Sequence, residues 1–123
     1  MIIGIGTDIA EVPRIAKSIE NNSFKEKVFS AREISYCETK ANKAESFAAR
    51  FAAKEAFFKA LGTGWRGGMA FNEVEVENDD LGKPTINVLG QTAEILKDKK
   101  IRIIHVSLSH IKDVAMATVV LED

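Results

Sequence analysis

Apolar residues follow two rhythms along this chain, a helical spacing through most of the first half and a two-residue alternation from Asn72 onward. Residues 2–8, rich in Ile and Gly, predict a buried strand. Pro13 suits the first turn of a helix that carries Ile15, Ala16 and Ile19 inward and runs to Asn21 or Asn22. Ser30-Ala-Arg-Glu33 has the spacing of a capping box and opens a second helix with Ile34 and Cys37 inward. A third and longer helix is predicted over 42–61. Gly62 closes it as a left-handed cap, and three more glycines follow in a loop to residue 68.

Beyond that loop, residues 72–77 alternate as a strand whose wet face carries Glu73, Glu75 and Glu77. Turn residues 79–84 lead to a return strand over 85–89, and a helix over 91–99 turns Ala93 and Leu96 inward. Strands over 101–109 and 114–121 finish the chain. Helices early and a mostly antiparallel sheet late predict an α+β fold in a single domain, residues 1–123.

Composition narrows the function. With a formal net charge of −1, the chain lacks the basic surplus that nucleic-acid binding requires. Charge is uneven, however: residues 1–66 hold 11 Lys and Arg against 8 Asp and Glu, and residues 67–123 hold 6 against 10. The basic first half suits an acidic partner. One cysteine and two histidines exclude a disulfide framework and zinc-finger spacing, so a metal here would take oxygen ligands. No stretch has the length of a membrane span or the form of a signal peptide, and a cytoplasmic setting is expected.

Two carboxylates stand out. Asp8 closes the apolar run at the N-terminus, and Glu55 lies inside a helix that is Phe or Ala over most of its circumference. A charge in such a setting needs a cation or a donor. At 100° per residue, Glu55 falls at about 80° and Lys59 at about 120° from Phe47, flanking the stripe of Phe47, Phe51, Phe58 and Leu61. Each carboxylate also has a structural explanation. Asp8 could cap the following helix, and Glu55 could pair with Lys59 one turn along. On the strand at 101–109, His105, Ser107 and Ser109 share a face, but no Gly-x-Ser-x-Gly elbow surrounds the serines. A polar strand face lining a cleft, or a satisfied histidine, fits better than a hydrolase triad.

Gly4-Ile-Gly-Thr-Asp-Ile9, Arg14, Phe51-Ala-Ala-Lys-Glu-Ala56, Lys59-Ala-Leu-Gly-Thr-Gly64, Gly82-Lys-Pro84 and His105-Val-Ser-Leu-Ser-His110 together resemble the holo-acyl-carrier-protein synthase family of small bacterial 4′-phosphopantetheinyl transferases. The resemblance spans nearly the whole chain. It implies transfer of 4′-phosphopantetheine from coenzyme A to a serine of apo-acyl-carrier protein in fatty acid biosynthesis, with release of adenosine 3′,5′-bisphosphate. It further implies Mg²⁺ on Asp8 and Glu55, with Glu55 and Lys59 catalytic. Arg50, Lys54, Lys59, Gly62, Thr63, Gly64, His105 and Ser107 are the expected coenzyme A contacts. Arg14, Lys17, Phe24, Lys25 and Val28 are expected to dock the acidic carrier, and the family's homotrimer would form active sites between protomers. A noncatalytic module for a nucleotide or acidic protein, and a Mg²⁺-dependent pyrophosphate hydrolase, are the alternatives.

Overall fold

A computed structural model describes residues 1–123. The N-terminal strand β1 (Ile2–Glu11) passes directly into helix α1 (Val12–Ser18), followed by α2 (Asn22–Val28), α3 (Ala31–Glu38) and α4 (Lys43–Ala60). A 3-10 turn at Phe71–Glu73 leads into the hairpin β2 (Val74–Asn78) and β3 (Pro84–Val88). Helix α5 (Gly90–Asp98) and strands β4 (Ile103–His110) and β5 (Val114–Glu122) complete the chain. Strands β1, β5 and β4 form one sheet in that order, antiparallel throughout, and β2 and β3 form a second antiparallel sheet. The expected α+β architecture is present, with two sheets in place of one.

Helix α4 is the axis of the core. Its alanines Ala48, Ala49, Ala52, Ala53, Ala56 and Ala60 are all buried, and it lies across the face of β1 and β5 that carries Ala10, Ala115, Ala117, Val119 and Leu121. Small residues on both sides let the backbones approach closely. At Gly4 and Gly6 a Cβ would fall inside the carbonyl oxygens of Ala60 and Ala56, respectively. This contact sets Asp8, two residues beyond Gly6, beside the C-terminal half of α4. Phenylalanines fill the opposite side, where Phe29 meets Phe47 and Phe58 meets Phe71 edge to face, each pair with ring centroids 4.9 Å apart.

Gly6→Ala is therefore expected to destabilise the chain by about 3 kcal/mol or more, because the helix must move off the strand. Thermal denaturation should register a loss of roughly ten degrees for a domain of this size. An unchanged melting temperature would contradict the close approach.

Three local expectations require correction. The helix expected to reach Asn21 or Asn22 stops at Ser18, and a separate helix starts at Asn22, because the Asn21 side chain accepts from the Phe24 N–H and caps it. The three glutamates are not one wet face. Glu75 is buried and accepts from Ser30 Oγ at 2.6 Å, while Glu73 accepts from the N–H groups of Gln91 and Thr92 and so caps α5. Only Glu77 remains at the surface, with Arg32 and Asn87. On α5 the buried residues are Thr92 and Leu96, and Ala93 is half-buried.

Candidate active site

The capping box at Ser30 and Glu33 forms as expected, and its glutamate does more than cap. Glu33 Oε1 accepts from Lys54 Nζ at 2.7 Å, and Oε2 accepts from the Val76 N–H at 2.9 Å. Lys54 is fully buried, and its other two protons go to the carbonyls of Phe71 and Val74. An ammonium has three donors, so none is left for a phosphate. This corrects the expected coenzyme A role of Lys54. Burial pushes its pKa down, and Glu33 opposes that shift.

Rigidly held in this way, α4 turns its neighbouring residue Glu55 to the other side, toward β1. Asp8 and Glu55 line one cleft of about 340 Å³, together with Glu11, Arg14, Phe24 and Phe51. Both structural explanations of the carboxylates fail here. The residue at the N-cap of α1 is Glu11, not Asp8. Lys59 Nζ does not reach back to Glu55; it lies 3.0 Å from Asp8 Oδ1 and 3.1 Å from the Thr7 carbonyl. Glu55 carries no hydrogen-bond or ion-pair partner. Its pKa is raised, first by burial and then by the negative charge of Asp8, with Lys59 pulling the other way.

Two carboxylates that repel each other across a half-open cleft suit a hard divalent cation. No third His, Cys, Asp or Glu joins them in a metal-binding group. The protein therefore offers two anionic oxygen ligands, and the remaining positions would fall to water and substrate phosphate, the usual arrangement for Mg²⁺.

The glycine loop begins three residues beyond Lys59. Gly62 has φ 81° and Gly64 has φ 67°, conformations that favour glycine. The N–H groups of Thr63 and Gly64 make no hydrogen bond within the chain, which leaves them able to receive an anion.

Arg50 lies in a different cleft, of about 450 Å³, formed by the C-terminal end of α3, the start of α4 and the ends of β2, β3 and β4. Its guanidinium stacks 4.4 Å over the Tyr36 ring and donates from Nη2 to Asn78 Oδ1 at 2.6 Å. Its Nε is buried without a partner. Lys40 and His110 line the same cleft, and His110 Nδ1 lies 3.2 Å from Glu45 Oε1. Sequence reasoning did not select Tyr36, Lys40, Asn78 or His110. The Gly82-Lys-Pro84 and His110 motif positions, which meet here, were the available signal.

His105 and Ser107 line neither cleft. They are exposed on the sheet face turned away from α4, where His105 Nε2 lies 2.6 Å from Glu122 Oε2 and Ser107 stands opposite Thr118. Of the expected carrier contacts, Arg14 and Lys17 are exposed on α1 and Phe24 is half-buried at the carboxylate cleft. Lys25 is tied to Glu38 at 2.9 Å. Val28 belongs to the core, which corrects its expected docking role: its side chain packs inward from the last turn of α2.

A family model for the 4′-phosphopantetheinyl transferase superfamily matches residues 4–119. The holo-[acyl-carrier-protein] synthase of Koribacter versatilis is 47% identical over 125 residues, covering 100% of both chains. The crystal structure of holo-[acyl-carrier-protein] synthase from Neisseria meningitidis superposes with a TM-score of 0.92 at 34% identity, again over 100% of each chain. A Helicobacter pylori holo-[acyl-carrier-protein] synthase in complex with coenzyme A gives a TM-score of 0.84 at 31% identity, covering 96% of this chain and 99% of that one.

Proposed function

The chain belongs to the 4′-phosphopantetheinyl transferase superfamily, among its holo-[acyl-carrier-protein] synthases, and from that premise we propose a Mg²⁺-dependent reaction at the Asp8–Glu55 cleft. Phosphopantetheine passes from coenzyme A to a serine of apo-acyl-carrier protein, and adenosine 3′,5′-bisphosphate leaves. The observation that carries this assignment to the site is the pair of carboxylates, one from β1 and one from α4, facing a single cleft with Lys59 beside them.

Bound Mg²⁺ would neutralise pyrophosphate charge and polarise the phosphorus that is attacked. Asp8 and Glu55 would hold it. The serine hydroxyl attacks the phosphate attached to pantetheine, so a base must take its proton as the P–O bond forms. Glu55, directly or through a water, is the group best placed for that role, since it lies in the cleft and forms no hydrogen bond or ion pair within the chain. Lys59 meets the charge that develops on the departing bisphosphate, and the free N–H groups of Thr63 and Gly64 lie a few residues further along the same chain segment. Positioning and electrostatics supply most of the rate, as in other phosphoryl transfers.

Arg14 and Lys17 give an acidic carrier its docking charges, and Phe24 and Phe51 offer apolar contact at the mouth of the same cleft. The Arg50 cleft suits the nucleotide end of coenzyme A: a guanidinium held flat on Tyr36, with Lys40 and His110 nearby, favours a phosphate. Assembly as a homotrimer would bring this cleft from one protomer to the carboxylates of another. The outer face of the β1–β5–β4 sheet supports such packing, because Ile3, Ile5, Ile9, Ile103 and Met116 are exposed on it and no helix covers them. His105 and Ser107 lie on that face and would enter the site only through a neighbouring copy. No helix is long and apolar enough to cross a membrane. A cytoplasmic role in fatty acid biosynthesis, where coenzyme A and the carrier meet, completes the proposal.

Incubating this chain with apo-carrier protein, coenzyme A and Mg²⁺ should raise the intact mass of the carrier by one phosphopantetheine. Coenzyme A cleavage without that gain would instead identify a hydrolase.

A further inference from the structure

Asp8 and Lys59 differ in freedom. The carboxylate is held on a strand with its side chain 15% exposed, whereas the lysine, 55% exposed, ends a flexible stem on the surface of α4. Their 3.0 Å contact places the ammonium on Oδ1, one of the two oxygens that a cation shared with Glu55 would need. Lys59 is also the only cationic side chain in contact with either carboxylate. Arg14 lines the cleft but forms no ion pair there. A dication bound between Asp8 and Glu55 would lie close to the ammonium on Oδ1, and the two cations repel, so they compete for Asp8. Lys59 is able to leave, since the bonds it gives up are one exposed ion pair and one carbonyl contact.

Resting on the metal assignment above, we propose that Lys59 is the resident counter-ion of Asp8 and must exchange with the divalent cation. Coenzyme A drives the exchange. Its pyrophosphate gives the displaced ammonium a new anion within reach of α4, so metal and coenzyme A bind cooperatively and Lys59 arrives at the phosphates only once the metal is in place. The lysine that assists the leaving group thereby also sets the order of assembly. Coupling of this kind is reciprocal: coenzyme A must raise metal affinity by the same factor that metal raises coenzyme A affinity.

Mn²⁺ alone is the probe, titrated by calorimetry and by its paramagnetic resonance signal into the wild-type protein, Lys59→Met, Lys59→Arg and Asp8→Ala, with and without coenzyme A. Without coenzyme A, Lys59→Met should bind Mn²⁺ about fivefold more tightly than wild type, the scale of one partly exposed ion pair. Lys59→Arg should stay near wild type. Coenzyme A should tighten Mn²⁺ binding to wild type by a larger factor than to Lys59→Met. Equal or weaker Mn²⁺ binding by Lys59→Met overturns the exchange. If wild type shows no measurable binding, a signal in Lys59→Met supports the exchange and silence in both overturns it. Asp8→Ala separates the two levels. Its loss of Mn²⁺ binding alongside an unchanged Lys59→Met sinks only the exchange, whereas wild-type binding by Asp8→Ala removes the metal assignment and the exchange with it.

Discussion

Asp8→Ala and Glu55→Ala are each expected to reduce phosphopantetheine transfer by about 10³-fold or more, because on the proposed mechanism each removes one of the two carboxylates that would hold the Mg²⁺ needed to neutralise pyrophosphate charge. The fold should survive. Asp8 gives up one partly exposed ion pair, a contribution of about 1 kcal/mol or less, and Glu55 gives up no bond at all. The pKa of Glu55 sharpens the contrast. In the folded chain its carboxyl holds its proton more tightly than an ordinary glutamate, so its contribution to stability is full at acid pH and fades as pH rises through the raised value. Glu55→Gln, which keeps the shape and removes the charge, should therefore melt at or above the wild-type temperature at neutral pH while failing to transfer. Mass measurement of the carrier beside a thermal melt of the enzyme reads both effects. Normal turnover in either alanine variant would remove the carboxylates from the mechanism, and a collapsed melt would assign them to the fold instead.

The second large effect falls on stability. Glu33→Ala should destabilise the chain by about 3–5 kcal/mol, because it strands the Lys54 ammonium in the core and also leaves the Val76 N–H without its acceptor. Simply losing an ion pair is not the reason. Replacing both partners with apolar residues, as in a Glu33→Leu, Lys54→Met double variant, should recover a substantial part of that loss, since two buried charges disappear together. Urea denaturation of the single and double variants measures this, with the midpoint shift interpreted only where the slope is unchanged. A loss under about 1 kcal/mol for Glu33→Ala would mean that water reaches Lys54 and the site is not closed.

Local chemistry was easily legible wherever one residue and its immediate neighbours decide the outcome. The Ser30–Glu33 capping box, the left-handed Gly62 and the early strand are short-range events, and all three formed. The strand, however, runs on to Glu11 and is not buried as expected, because only one of its faces meets α4 and Ile3, Ile5 and Ile9 are exposed on the other. Asn21 carried an equally local signal as an N-cap, but Ile19 continued the helical period and masked the break. The glutamates of β2 failed for a different reason. Alternation assigns them to one face and says nothing of what covers it, and Ser30 and the first turn of α5 cover Glu75 and Glu73.

Lys54 and Lys59 show where sequence reading stopped at the site. Both are lysines on one helix, five residues apart, and both resembled phosphate ligands. Rotation of α4 about its axis buries one against α3 and β2 and turns the other toward β1, and that rotation is fixed by packing from all sides. The same packing distributes Arg50 to a second cleft and carries His105 and Ser107 to the far face of the sheet.

The sequence by itself determined the α+β class, most of the elements, the apolar settings that singled out Asp8 and Glu55 and the resemblance that implied a metal on them, because capping, periodicity and motif order are properties of neighbouring residues. Only the tertiary structure decided that these two carboxylates face one cleft, that Lys59 rests on Asp8 and not on Glu55, and that Lys54 belongs to the core. The physical reason is the close approach of α4 to β1 at Gly4 and Gly6, a contact between segments some fifty residues apart that no local pattern encodes.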